Sequence, residues 1–248
     1  GDDDEPQAAP VKEGPRFTVA IAQSPDSFNP LLSEGGLAQE FFALCYDTLW
    51  RLDETGQPSP CLARDWSLSS DRLTWTIRLD PEATFSDGVP VTSADVLFTY
   101  ELMRHNETPY TDYFAGVSAI RCPDDYTVVI TTEYVKGDML YNPTPILPRH
   151  IWRDYEFDPA SFDNEAMVGS GPFIYDPAAS GEEGWLFRAR EDYAGGAAHL
   201  GEVYFALYGR EPKCIREGVC QSTYNTCTHH SYDLPHFRLI RADEYLLG

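Results

Sequence analysis

The sequence predicts a mixed α/β fold with an irregular order of elements, and three features support that prediction. Apolar residues recur at helical spacing from Leu37 to Leu49, which indicates a helix. Between Leu73 and Leu79 apolar and polar side chains alternate, as they do in a half-buried strand. Clusters of Gly, Pro and Asp separate these segments from several shorter β-rich runs, and no internal repeat is present.

The first predicted elements are a strand, a loop and a helix. Phe17 to Ala22 is a short apolar run that fits a buried strand, and Ser24 to Pro30 is rich in turn-forming residues. In the following helix, from Leu37 to Leu49, the apolar side chains form a broad stripe for burial. The segment ETGQPSP at 54–60 breaks this pattern.

Two strands and a second helix follow. The strands are Trp66 to Leu68 and Leu73 to Leu79, joined by a turn. Thr92 stands three residues before Asp95, which resembles a capping box and predicts a helix that runs to about Arg104.

The second half of the chain is predicted to be richer in strands. Two β-rich runs, 117–121 and 126–131, flank a Pro-Asp-Asp turn and predict a hairpin. Three prolines between Leu140 and Pro148 exclude regular structure there. Three further strands are predicted between Gly-rich turns: Phe173 to Tyr175, Trp185 to Ala189 and Val203 to Tyr208.

Composition narrows the class of protein. The chain has 248 residues, and 40 acidic against 18 basic side chains give a net charge of −22. A nucleic acid or an anionic membrane surface would repel such a chain, so neither is an expected partner. No run of apolar residues is long enough to span a bilayer.

Both ends of the chain differ from its middle. Residues 1–16 hold five acids and three prolines, which predicts a disordered tether or an ordinary frayed terminus. Residues 210–248 form an atypical tail that contains Cys and His. The spacing of these Cys and His residues matches no zinc pattern, and three alternatives stay open: a disulfide that involves the tail, free thiols, or a disordered end. No metal and no cofactor is expected.

Signatures of catalysis are missing from the sequence. It contains no G-x-S-x-G, P-loop, H-E-x-x-H, C-x-x-C or G-x-G-x-x-G motif. Its paired acids, such as Asp124 and Asp125, lie in polar turns, where both carboxylates can be hydrated. The sequence therefore predicts no catalytic residues and a protein that is not an enzyme.

Five segments in order resemble family 5 extracellular solute-binding proteins of ABC importers, the dipeptide- and oligopeptide-binding group. They are FTVAIA with FNP (17–30), YDTL with a later LA and Trp66 (46–66), TWTIRL leading into FSDGVPVTSADV (74–96), ILPRHIW (146–152) and GSGPF (169–173). The resemblance covers about residues 17–209, and the tail after it resembles nothing in the family.

This resemblance implies a type II periplasmic-binding-protein-like fold. The first lobe would comprise residues 17–50 and 169–209, with residues 51–168 as an inserted small α/β domain. Family members are about twice as long, so the second lobe is expected to be absent.

The resemblance also implies a non-catalytic component that binds a solute, expected to be a peptide, and passes it to ABC permease subunits. The expected location is the extracellular face of the cell membrane or the periplasm, as an exported lipoprotein whose N-terminal lipid anchor has been removed. An oligosaccharide or metal chelate as solute, or a lobe that acts as a protein-interaction module, stays open. The predicted ligand-binding residues are Gln23, Ser24, Pro25, Asp26, Gly169, Ser170 and Gly171.

Overall fold

A computed structural model describes residues 9–207 and the two-residue strand at 220–221, and it contains two main sheets. The first sheet has the order β11-β1-β10-β9-β8. β1 pairs in parallel with β10 on one side and with β11 on the other, whereas β10, β9 and β8 are antiparallel. Its strands are β1 (Arg16–Ile21), β8 (Phe173–Gly181), β9 (Gly184–Ala189), β10 (Glu202–Leu207) and β11 (Cys220–Gln221).

The second sheet is antiparallel throughout and has the order β4-β5-β7-β6. It confirms the predicted strand pair and the predicted hairpin. A short ribbon of two strands, β2 and β3, precedes it. The bounds are β2 (Trp50–Leu52), β3 (Pro58–Pro60), β4 (Ala63–Leu68), β5 (Thr74–Leu79), β6 (Val117–Asp124) and β7 (Thr127–Thr132).

The described residues form three α-helices, α1 (Gly36–Cys45), α2 (Ser93–His105) and α3 (Arg149–Trp152); α1 packs on the first sheet, α2 on the second, and α3 against α2. Short 3-10 turns occupy 111–114, 139–141, 153–155 and 159–161. In the described ranges, no helix has the length and apolar character that a membrane span requires.

α1 ends four residues before the predicted end at Leu49, and a distant segment explains the difference. The backbone N–H of Gly171 donates to the carbonyl of Cys45 (2.9 Å), and the next residue, Tyr46, is already extended. Because that carbonyl is used outside the helix, Leu49 has no helical acceptor and the apolar stripe continues in extended chain.

The aromatic ring of Phe41 joins α1 to the first sheet. Its centroid lies 5.9 Å from Trp185, 4.8 Å from Phe187 and 4.7 Å from Phe205. Such tilted and edge-on ring pairs add about 1 kcal/mol each beyond the area that they bury. The helix is thereby held against β9 and β10, and the loop before it is brought to the edge of the sheet.

Residues 9–15 belong to the segment predicted as a disordered tether, but main-chain hydrogen bonds hold them to the body of the protein. The N–H of Ala9 donates to the carbonyl of Ser86 (2.8 Å), and that of Lys12 donates to Ala189 (2.9 Å). The N–H of Glu191 in turn donates to the carbonyl of Pro10 (2.9 Å). Main-chain hydrogen bonds need no apolar side chains, so composition could not reveal this ordered strap. Residues 1–8 lie outside the described residues.

The capping box predicted for α2 is confirmed, and Asp95 does more than cap. One carboxylate oxygen accepts the backbone N–H of Thr92 (2.8 Å), and the other accepts that of Arg149 (2.9 Å).

We expect Asp95→Ala to lower the free energy of unfolding by about 2 kcal/mol, because it removes a cap and leaves a second N–H unpaired. Urea denaturation would measure the change. The exposed Asp112→Ala is the control, and an equal loss there would contradict the prediction.

Candidate ligand-binding site

The candidate site lies where the parallel strands β1 and β10 end. The carboxyl ends of parallel strands meet at one edge of a sheet, and ligands of open α/β sheets bind outside that edge. The loop that follows β1, residues 22–35, leads from there into α1; we call it the β1–α1 loop. β1 has parallel neighbours on both sides, so the carboxyl ends of three parallel strands meet at this edge.

Three of the predicted ligand-binding residues are exposed at the start of this loop. Gln23, Ser24 and Asp26 lie in solvent, and Pro25 between them is half-buried. The polar groups of Gln23 and Ser24 are therefore accessible to a solute. Their role as ligand-binding residues stays a prediction.

The carboxylate of Asp26 forms hydrogen bonds within the loop, which the sequence did not indicate. Its carboxylate accepts the hydroxyl of Ser33 (2.6 Å) and the backbone N–H groups of Glu34 (3.1 Å) and Gly35 (3.0 Å). Partial burial would raise the pKa of Asp26, but the hydrogen bonds from Ser33 and Gly35 outweigh burial and hold the pKa below its ordinary value. The charge is thus used to close the loop just before α1 begins.

The other predicted residues, Gly169, Ser170 and Gly171, are buried at the opposite end of α1. A Cβ at Gly169 would lie 2.0 Å from the Cys45 carbonyl oxygen, so this turn packs backbone against backbone. Ten helical residues separate it from Asp26, a distance of about 15 Å. The structure therefore does not bring the two predicted groups together, and it gives the glycine turn a packing role.

Two buried asparagines fix the β1–α1 loop, and the sequence analysis did not single them out. Asn29 lies inside the loop, and Asn164 lies in a later segment that packs against it. The side-chain amide of Asn29 reaches the carbonyls of Pro159 and Phe162, while that of Asn164 reaches the carbonyl of Phe28. Asparagine is common in turns, so its type and position alone did not distinguish a buried clamp from a surface turn.

The stretch of chain that contains the loop is acidic in sequence. From Phe17 to Trp50 the chain carries four acids and no Lys, Arg or His. The four are Asp26, Glu34, Glu40 and Asp47.

Two of these acids are buried: Glu40 lies within α1, and Asp47 follows the end of α1 that is far from the loop. Burial raises the pKa of Glu40 to about 7, and neither of its carboxylate oxygens has a hydrogen-bond partner in the described part of the chain. Burial also raises the pKa of Asp47 to about 6, against the opposing effects of Arg51 and of the Tyr193 hydroxyl, which donates to Asp47 (2.9 Å). Both carboxyls are inside the protein and act on its stability.

A groove of about 560 Å³ runs along α2, α3 and the turn after α3. Leu97, Phe98 and Leu102 line it together with Arg149 and Phe157, and none of the predicted ligand-binding residues does. Across residues 9–207, no three His, Cys, Asp or Glu side chains are placed to hold a metal ion. The predicted Cys and His cluster of the tail lies outside the residues whose side chains are described.

Comparison with known proteins identifies the family. The profile of the bacterial extracellular solute-binding proteins, family 5 Middle, matches residues 57–215, which is more than half of the chain. The chain belongs to this family. The resemblance that the sequence analysis drew from five short segments is thereby confirmed.

Individual relatives agree. A protein of Brucella ovis named as an ABC transporter peptide-binding protein is 29% identical over 249 aligned positions, which cover 94% of this chain and 46% of that protein. That match extends into residues 210–248, so the resemblance does not stop at residue 209 as expected. The chain spans about half the length of the curated relatives that it matches.

Solved structures show the fold. The oligopeptide-binding protein AppA of Bacillus subtilis, in complex with a nonapeptide, superposes with a TM-score of 0.73 at 22% identity, covering 86% of this chain and 42% of AppA. The periplasmic binding protein DppA of Helicobacter pylori, in complex with the peptide STSA, gives 0.71 at 24% identity, covering 83% of this chain and 45% of DppA. The fold is that of type II periplasmic binding proteins, as the sequence predicted.

Proposed function

We propose that this chain binds a peptide and serves as the substrate-binding component of an ABC importer. The observation that carries the proposal is the family match over residues 57–215. A peptide as solute is supported by a relative named as a peptide-binding protein and by a solved structure that contains a bound peptide. The structure supports it with an exposed polar loop, Gln23 to Asp26, at the carboxyl edge of the first sheet. The solute is bound and released unchanged, and no residue has a catalytic role.

The family consists of extracellular solute-binding proteins. For this chain we infer the outer face of the cell membrane or the periplasm, with ABC permease subunits as partners and an upstream lipid anchor as tether. The strap at residues 9–15 supports a tether only upstream of residue 9, because the strap itself is bound to the body of the protein.

The test is isothermal titration of the purified chain with three probes. They are the tetrapeptide STSA, the oligosaccharide maltotriose, and the chelate of Ni²⁺ with histidine. We expect saturable binding of STSA alone, with the peptide recovered intact by mass spectrometry. Binding of maltotriose or the chelate in its place would contradict the proposed solute class, and cleavage of STSA would contradict a role without catalysis.

A further inference from the structure

We propose that Asn29 and Asn164 are positioning residues for the solute site. They hold the β1–α1 loop from the segment 159–164, so that this segment sets the conformation in which the loop meets a solute. The inference rests on the function proposed above, since it assumes that the loop binds the solute.

The side chain of Asn29 is fully buried, and both its amide nitrogen and its amide oxygen form hydrogen bonds. Its Nδ2 donates to the carbonyls of Pro159 (2.9 Å) and Phe162 (2.7 Å), and its Oδ1 accepts the N–H of Leu31 (2.9 Å). An amide has two donor hydrogens and one acceptor oxygen. One side chain therefore closes the turn inside the loop and joins that turn to a distant segment.

Asn164 completes the connection from the other side. Its Nδ2 donates to the carbonyl of Phe28 (2.7 Å) and to the hydroxyl of Tyr46 (2.8 Å). Its backbone has φ of +55°, in the left-handed region that Asn tolerates better than most residues. The same residue thus turns the chain and clamps Phe28.

These bonds leave the loop only a short free span. β1 ends at Ile21, and Asn164 holds the carbonyl of Phe28. The exposed residues between Ile21 and Phe28 are therefore fixed at both ends. A loop that is ordered before binding loses less conformational entropy when a solute arrives, which strengthens binding without any contact. Buried amides suit this purpose because a lost partner is costly and alternative positions of the loop are disfavoured.

The first test measures hydrogen exchange by NMR. The N–H groups of Leu31, Leu32 and Ser33 all donate to Asn29, so they report on the loop. We expect Asn164→Gly, which keeps the backbone conformation accessible but removes both donors, to speed their exchange about tenfold. Amides of β5 and β7 should change by less than about twofold. An equal increase at the loop amides and at the amides of β5 and β7 would indicate general destabilisation and overturn the inference.

The second test measures affinity for STSA by calorimetry. We expect Asn164→Gly and the near-isosteric Asn29→Asp to weaken binding about tenfold. The matched control is Asn106→Asp, because Asn106 makes the same kind of amide-to-carbonyl bond, to Leu102 (2.8 Å), at the end of α2. The control should bind as the unaltered chain does.

The two proposals fail differently. If the unaltered chain binds STSA and both variants bind it equally well, the positioning role is overturned while the proposed function stands. If the unaltered chain binds none of the three probes, the proposed function is overturned and the positioning role at a solute site falls with it.

Discussion

Gly169→Ala is expected to lower the free energy of unfolding by about 3 kcal/mol, one of the two largest effects that the structure predicts. The added methyl group would lie 2.0 Å from the carbonyl oxygen of Cys45 and 2.7 Å from the ring of Tyr46. The first neighbour is backbone at the end of α1 and cannot rotate away as a side chain could. The helix and the turn would have to separate, and urea denaturation would measure the cost.

The matched control is Gly137→Ala. A Cβ there meets nothing within 4 Å, and we expect the free energy of unfolding to stay within about 0.5 kcal/mol of the unaltered value. A stable Gly169→Ala variant, with a denaturation midpoint equal to that of the control, would show that the turn does not pack as described.

The second large effect is a dependence of stability on pH that arises from Glu40. Its pKa is about 7 in the folded chain against 4.5 as the ordinary value. The folded state therefore holds this proton at a higher pH than the unfolded state does. Between pH 4.5 and 7 stability falls as pH rises, because Glu40 loses its proton in the unfolded state but keeps it in the folded state, and the total loss is about 3 kcal/mol. Asp47, with its pKa raised to about 6, acts in the same direction.

Glu40→Gln removes the ionisation and should abolish the Glu40 part of this dependence. We expect the variant to be more stable than the unaltered chain by about 3 kcal/mol at pH 8, and nearly equal to it at pH 4.5. Denaturation by urea across that range would measure both values. Glu34→Gln serves as control, because Glu34 lies six residues earlier, just before α1, and is exposed. A pH profile that Glu40→Gln leaves unchanged would refute the assignment.

The elements that the sequence predicted correctly are those whose signals are local. The alternation of β5 and the capping box of α2 each involve residues only a few positions apart in sequence, so pattern and structure agree. The end of α1 was placed too late because the residue that stops the helix, Gly171, lies far away along the chain. A periodicity argument contains no information about a partner outside its window.

The site was less predictable than the fold. The family resemblance indicated the loop at Gln23 to Asp26, which the structure exposes at the expected edge. It also indicated Gly169 to Gly171, which are buried. The resemblance could indicate which turns matter but not why, because packing against a helix end and contact with a solute both favour small residues. The role of Asn29 depends on carbonyls that no sequence motif specifies.

The central position of β1 has a consequence for the order of folding during synthesis. The second sheet is complete once Thr132 has left the ribosome, and its longest-range pairing, Thr74 with Thr131, spans 57 residues. β1 is made first, yet Arg16 pairs with Glu202, 186 residues later. The nascent chain therefore carries this apolar strand without its sheet partners until β10 emerges, which exposes it to aggregation during synthesis.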